Sequence, residues 1–281
     1  ESLENLIALK YLLENKFDAI ICTHIFAAIL VNELKKKSGL SIYTALVTTD
    51  FTCYPGSLEA NADTYFIAHP LLTKDFIALG IPKEKIVPCG IPVSQQFLTK
   101  ESSVSARQNL GLPLDRHIVL VSGGSMGAGP LVKMAELLSS RLSDSLIIVA
   151  CGTNTRLLQK ISSLNMPNIL ALPFTKKMAA YLDAADVYLS KAGGLSTTEA
   201  IMKEIPLVYI NAVPGCETRN IEFMTGNAYA AAAFSPEDAV MRTVYALNHK
   251  DSAKSGISKC RSELAQNPAD FICEHISLHI N

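Results

Sequence analysis

The sequence predicts an α/β protein built as two doubly wound halves with parallel sheets. Three observations carry this. Short apolar runs rich in Val, Ile and Tyr alternate with helical periods along most of the chain. Glycine-rich corners follow several of those runs. The 281 residues, 49% of them hydrophobic, suffice for about two domains with substantial cores.

The elements follow in order. "ESLENLIALKYLLE" has apolar residues at Leu3, Leu6, Ile7, Leu9, Leu12 and Leu13, a helical spacing. "FDAIICT" reads as a strand, residues 25–37 as a helix, and "SIYTALVT" and "DTYFIA" as strands. Residues 70–79 then form a helix and "KIVPCGIP" a strand. After a break over 94–105 the alternation resumes with "HIVLVSG", a helix from about Gly129, "SLIIVA", a helix over 155–164 and "NILALP". It continues through helix 177–184, "DVYLS", helix 197–203, "PLVYI", helix 217–225, "AYAAA" and a helix from Pro236. Strands alternating with helices in this way imply βαβ units. The expected domains are 1–100, 101–255 and a C-terminal helical segment over 256–281. The chain opens inside a helical pattern without an initiator Met, so a further N-terminal portion is expected and the first domain is read as truncated.

Composition excludes several classes. With 25 Lys+Arg against 26 Asp+Glu, the chain offers no basic excess for phosphate backbones, and no nucleic-acid partner is expected. The seven cysteines are odd in number, scattered and never in C-x-x-C spacing, against a disulfide framework or a zinc site. The chain reads as cytosolic. The most apolar stretch, "AIICTHIFAAILV", contains Thr23 and His24 and falls short of the ~20 residues of a membrane span. Lys35–Lys37 read as a solvated helix C-terminus, where the macrodipole favours cations.

Three corners carry the chemistry. In "HIVLVSGGSMGAGP" a strand runs into Gly123–Gly127 and then a helix, an arrangement whose backbone N–H groups and helix dipole suit a phosphate. The spacing is neither G-x-G-x-x-G nor G-x-x-x-x-G-K-[ST], and no acidic residue follows the next strand to hold a ribose, so a dinucleotide reading loses ground. In "SKAGGLSTTEA" a second corner over 191–199 can share a crevice with the first, beyond the carboxyl ends of the strands. Glu199 can accept both ribose hydroxyls there, or simply complement a helix N-terminus. In "NAVPGCETRN", Glu217, Thr218 and Asn220 follow a strand, where they can bond a sugar or cap the next helix.

The ordered set "GGSMGAG", "LPFTKKMAAYLDAADVYLSKAGGLSTTEA" and "PGCETRN" resembles the C-terminal donor domain of family 28 glycosyltransferases. Within that family it is most similar to the diacylglycerol glycosyltransferases, monogalactosyldiacylglycerol synthase and the bacterial processive glucosyltransferases, over about residues 18–246. The resemblance implies a GT-B fold, two Rossmann-like domains facing a cleft, with a UDP-sugar held chiefly by the second. It implies that Gly124, Ser125 and Met126 face the diphosphate, and that the backbone at Pro173 and Phe174 holds uracil. Lys191, Gly193, Gly194, Leu195, Ser196 and Thr197 would lie along the phosphates, Glu199 on the ribose, and Glu217 and Asn220 on the donor sugar. Cys216 stands where the family usually has Gln, a side-chain amide able to bond sugar hydroxyls.

The expected activity is inverting transfer of a hexose from a UDP-sugar to diacylglycerol or a related lipid. That implies a lipid acceptor at a membrane surface, peripheral association with the inner face of the cell membrane, and no cofactor or metal, in keeping with the lack of an Asp-x-Asp element. Asp50 and His24 are the titratable candidates at strand ends for the catalytic base, the family's own base lying earlier in the N-terminal domain. Two other readings stay open, a UDP-N-acetylglucosamine 2-epimerase-like enzyme and a nucleotide-sugar-binding subunit completed by a membrane partner.

Overall fold

The computed structural model describes residues 3–212 and 214–280. The chain divides into two compact units, Glu1–Pro92 with Glu263–Asn281, and Val93–Ser262.

The first unit holds a four-stranded parallel sheet in the order β1 (Ala19–Cys22), β2 (Tyr43–Val47), β3 (Thr64–Ile67) and β4 (Ile86–Pro88). The helices Leu3–Asn15, Ile25–Ser38 and Thr73–Ala78 belong to this unit. Thr64, Tyr65, Phe66 and Ile67 are all buried, as expected of a parallel strand covered on both faces. The second unit holds six parallel strands, β5 (Ile118–Ser122), β6 (Leu146–Ala150), β7 (Ile169–Leu172), β8 (Val187–Lys191), β9 (Leu207–Asn211) and β10 (Ala231–Ala232). Their spatial order is β10-β9-β8-β5-β6-β7. This is the doubly wound arrangement in which the winding direction reverses beside the first strand, here between β5 and β8. An apolar core packs in the unit, with Val119, Val121, Ile147, Val149, Val187 and Leu189 in it, and Ile118, Leu120 and Ile148 of the same strands are buried as well.

The two units agree with the fold class expected from the alternation of strands and helices. The C-terminal segment behaves differently from the separate 256–281 tail, because its two helices bury apolar residues in different units. Helix Lys250–Ser262 stays with the second unit, with Ile257 and Cys260 fully buried. Gly256 lies so close to the backbone that an added Cβ would sit 2.0 Å from the Ala228 carbonyl oxygen. From Glu263 onward the chain packs on the first unit, where Ile272 and Ile276 join Ala45, Val47 and Phe66 in one cluster. His69, fully buried at the end of β3, lies 2.9 Å from Glu263 through Nε2, while its Nδ1 accepts from Leu71 N–H. Burial lowers the His69 pKa against the opposing pull of Glu263.

The break over 94–105 contains helix Gln95–Leu98 and runs into helix Ser103–Leu110, capped by Ser102, whose hydroxyl accepts from Ser105 N–H. Helix Ser103–Leu110 anchors through Arg107, which donates to the Ala184 carbonyl and to Asp186 at 2.8 Å. Although burial opposes it, the hydrogen bonds and charge of Lys250 and Arg107 hold the Asp186 carboxyl below its usual pKa.

Deeper still, Lys203 and Asp183 form an ion pair of 2.6 Å with side chains only 1% and 3% exposed. Lys203 also donates to the Thr99 carbonyl. Replacing one member of such a pair leaves an uncompensated buried charge. Lys203→Met is therefore expected to destabilise the chain by about 3–5 kcal/mol in urea unfolding, and Asp183→Asn with Lys203→Met by less than either single change.

Candidate donor site

The second unit brings the three corners to one edge of its sheet. β8 lies between β5 and β9, and Ser122 pairs in register with Ser190, and Ser190 with Tyr209. The corners at 123–127, 191–199 and 214–217 therefore follow three neighbouring strands. The first two flank the switch point, where open α/β sheets bind ligands.

The first corner is a set of close backbone approaches. Gly124 adopts φ +77°, and a Cβ there would meet Lys191 Cε at 2.7 Å. The loop closes on itself through Gly127 N–H to the Gly124 carbonyl and Ala128 N–H to the Gly123 carbonyl. Thr153 donates to the Ser125 carbonyl from both its N–H and its hydroxyl, and Asn154 donates to the Met126 carbonyl. With the carbonyls tied down, Ser125 and Met126 are left exposed at the outside of the turn, Met126 at 74%.

At the second corner the helix begins earlier than expected, at Gly194 and not Thr197. Gly193 is its N-cap in extended conformation and contributes no side chain, so no side-chain cap serves the first turn. The first-turn N–H groups of Gly194, Leu195 and Ser196 stay available to a ligand, at the positive end of a ten-residue helix. Asn220 is wholly buried, and its amide donates to the Ala192 carbonyl at 2.8 Å. Its side chain thus braces this corner from behind instead of extending toward a sugar. Thr197 is likewise turned inward, its hydroxyl 2.9 Å from that of Tyr209, so its side chain does not lie along a phosphate path.

The third corner is tied to the other two by an ion pair. Glu217, in helix Cys216–Gly226, lies 2.6 Å from Lys191 Nζ, with the carboxylate mostly buried and the lysine a quarter exposed. Pro173 and Phe174 follow β7 and are exposed, Phe174 at 59%.

Glu199 is the electrostatic anomaly. It sits half-buried in the second turn of helix Gly194–Lys203, and none of the described residues donates to it or pairs with it. Burial alone raises its pKa to about 7. Beneath it the fully buried Tyr188 hydroxyl accepts from Ser190 and lies within hydrogen-bonding reach of Ser122 and Ser196. Burial raises the Tyr188 pKa, and the Glu199 charge adds to that rise. Ser122 also accepts from Gly124 N–H, so a hydroxyl cluster links the first two corners. Sequence reading missed this cluster. A serine at the end of two neighbouring strands was its only local sign.

The base candidates lie in the first unit. His24 is the N-cap of helix Ile25–Ser38, its Nδ1 accepting from Phe26 N–H. Asp50 follows β2 and accepts a 2.6 Å hydrogen bond from the Tyr54 hydroxyl. Among the described residues, no group of three or more His, Cys, Asp or Glu is arranged to hold a metal ion. Nor is any helix long and apolar enough to cross a membrane.

The two parallel-sheet α/β units have the GT-B fold. Solved structures share this fold. Acinetobacter baumannii MurG superposes with a TM-score of 0.69 at 17% identity, covering 96% of this chain and 76% of that one. Neisseria meningitidis UDP-GlcNAc 2-epimerase bound to UDP-GlcNAc gives 0.68 at 12%, covering 98% and 82%. The family models are more specific. Monogalactosyldiacylglycerol (MGDG) synthase matches residues 3–93, and the glycosyltransferase family 28 C-terminal domain matches residues 118–215. The chain is thus similar to glycosyltransferase family 28 over its second unit and to MGDG synthase over its first. It is 27% identical over 232 residues to the processive diacylglycerol beta-glucosyltransferase of Staphylococcus saprophyticus. That match covers 82% of this chain and 59% of the relative.

The Glu199 carboxyl gives a stability test. Its pKa in the folded chain lies above the ordinary carboxylate value, so the folded state holds the proton more tightly than the unfolded state. Stability is then lost as pH rises from about 4.5 toward about 7. Glu199→Gln is expected to raise the melting temperature at pH 8 and leave it nearly unchanged at pH 4, as read by calorimetry.

Proposed function

We propose that this chain belongs to an inverting transferase that moves a hexose from a UDP-sugar to diacylglycerol or a related lipid. The observation that carries the reading is Glu199, a desolvated carboxylate without a partner among the described residues, in a helix whose first turn has no side-chain cap. A carboxylate so placed is costly unless a ligand supplies donors, and adjacent ribose hydroxyls supply two. The match to MGDG synthase over residues 3–93 favours a glycerolipid acceptor, and the sequence relative favours transfer over epimerisation. Fold likeness supports both chemistries equally.

In this reading the exposed backbone of Gly124, Ser125 and Met126 faces the diphosphate, and the first turn at Gly193, Gly194, Leu195 and Ser196 lies along it. Pro173 and Phe174 border the base. The acceptor hydroxyl oxygen attacks the anomeric carbon as the bond to the UDP oxygen breaks, and the acceptor proton passes to a base. The negative charge that accumulates on departing UDP is met by Lys191, the free N–H groups and the helix dipole, groups already oriented before reaction. No divalent ion is needed for that charge. The acceptor's chemistry implies work at a membrane surface, by peripheral association at the cytoplasmic face.

The test is calorimetric titration with UDP in EDTA. Saturable binding is expected, weakened by ~1–3 kcal/mol in Glu199→Ala through loss of the ribose hydrogen bonds. A folded parent that does not bind UDP would refute the reading. A UDP-hexose, whose phosphates are both esterified and keep constant charge near neutrality, gives a second measurement. Ribose hydroxyls favour ionised Glu199, so affinity should rise with pH up to about 7 and then level off. In Glu199→Gln the same titration should be flat with pH.

A further inference from the structure

Lys191 leaves β8 at an irregularity in the ladder between Ser190 and Lys191. Its side chain then runs between two glycines. A Cβ at Gly124 would meet its Cε at 2.7 Å, and one at Gly193 would come within 3.7 Å of both Cε and Nζ. The ammonium ends 2.6 Å from Glu217 Oε1. It thus touches all three corners at once. An ammonium has three protons, and among the described residues Glu217 alone accepts from it. Its Nζ lies 3.8 Å from where a Cβ would stand at Gly124 and 3.7 Å from one at Gly193, the N-cap of helix Gly194–Lys203.

An anion held by those two corners would lie near the Lys191 ammonium and near the Glu217 carboxylate 2.6 Å from it. The first contact attracts and the second repels. With the lysine turned toward Glu217 the two charges neutralise each other, and the carboxylate has an ammonium occupying one of its oxygens. With the lysine turned toward a phosphate, that oxygen becomes an acceptor for a hydroxyl.

We infer that Lys191 and Glu217 form an exchangeable ion pair, in which a bound nucleoside diphosphate takes over Lys191 and leaves Glu217 to accept from hexose hydroxyls. This rests on the UDP-sugar reading above and adds a coupling to it. The sugar subsite is completed only when the diphosphate is in place, so the carboxylate engages a hexose that carries its leaving group. Glu217 acts on the phosphate through Lys191 and is a positioning residue toward that group.

The experiment titrates uridine, UDP and UDP-glucose into the parent chain, Glu217→Gln and Lys191→Met. Glu217→Gln keeps the shape and removes the opposing charge, so UDP should bind about three- to tenfold tighter, as expected for one charge several ångströms from a phosphate. Uridine should bind all three proteins equally, since it carries no phosphate. Any affinity that glucose adds to UDP in the parent should fall in Glu217→Gln, whose neutral amide oxygen is a weaker acceptor than a carboxylate. Lys191→Met should weaken UDP at least about tenfold and spare uridine. A general structural defect would instead move uridine together with UDP. The inference is overturned if Glu217→Gln leaves UDP unchanged or weaker while uridine holds, or if Lys191→Met leaves UDP unchanged. Failure of the parent to bind UDP would overturn the underlying reading itself, which separates the two results.

Discussion

At position 124 a side chain and the Lys191 methylenes would compete for the same space. A Cβ there would lie 2.7 Å from Lys191 Cε, and the backbone adopts φ +77°. Glycine meets both demands, and much of the site depends on it. Because residue 124 yields that space, Lys191 can cross from β8 to Glu217 on another element. Because the turn is held by Thr153 and Asn154 through its carbonyls, those carbonyls are already occupied while Ser125 and Met126 stay exposed. The ion pair then joins the end of β8 to helix Cys216–Gly226 beside the Gly124 turn. A cation reaching a common point from one strand achieves what no single loop could.

The site trades stability for readiness. Glu199 is held half-buried with no donor, and helix Gly194–Lys203 starts without a side-chain cap. Each feature costs folding free energy, since an unpaired carboxylate and unpaired N–H groups both prefer water. The surrounding cores offset that cost, with a fully apolar centre in β5, β6 and β8 and the buried Lys203–Asp183 pair below. Local disagreement between a residue and its surroundings is what a ligand-binding site requires, because the ligand then supplies the missing partners.

Much of the fold was legible in the chain. The alternation of β-rich runs with helical periods marked nearly every strand, since a parallel sheet buries both faces and needs continuous apolar runs. The corners at 123–127 and 191–199 were legible for the same local reason, glycine following a strand. Other features were not. Helix Ser103–Leu110 is short and polar, and its anchoring by Arg107 to Ala184 and Asp186 is invisible to periodicity. The tail divides between the units because Ile257 and Ile272 found different cores.

By itself the sequence determined the α/β class, the strand order's raw material and the composition of the three corners. Those follow from local periodicity and from residues whose conformational range is their own. Only the tertiary structure decided which side chains face the site. Asn220 and Thr197 turned inward to brace it, His24 became a helix cap, and Lys191 met Glu217 across 26 residues of chain. The physical reason is that a side chain's direction and its partner are set by packing against distant elements, which no local stretch of sequence encodes.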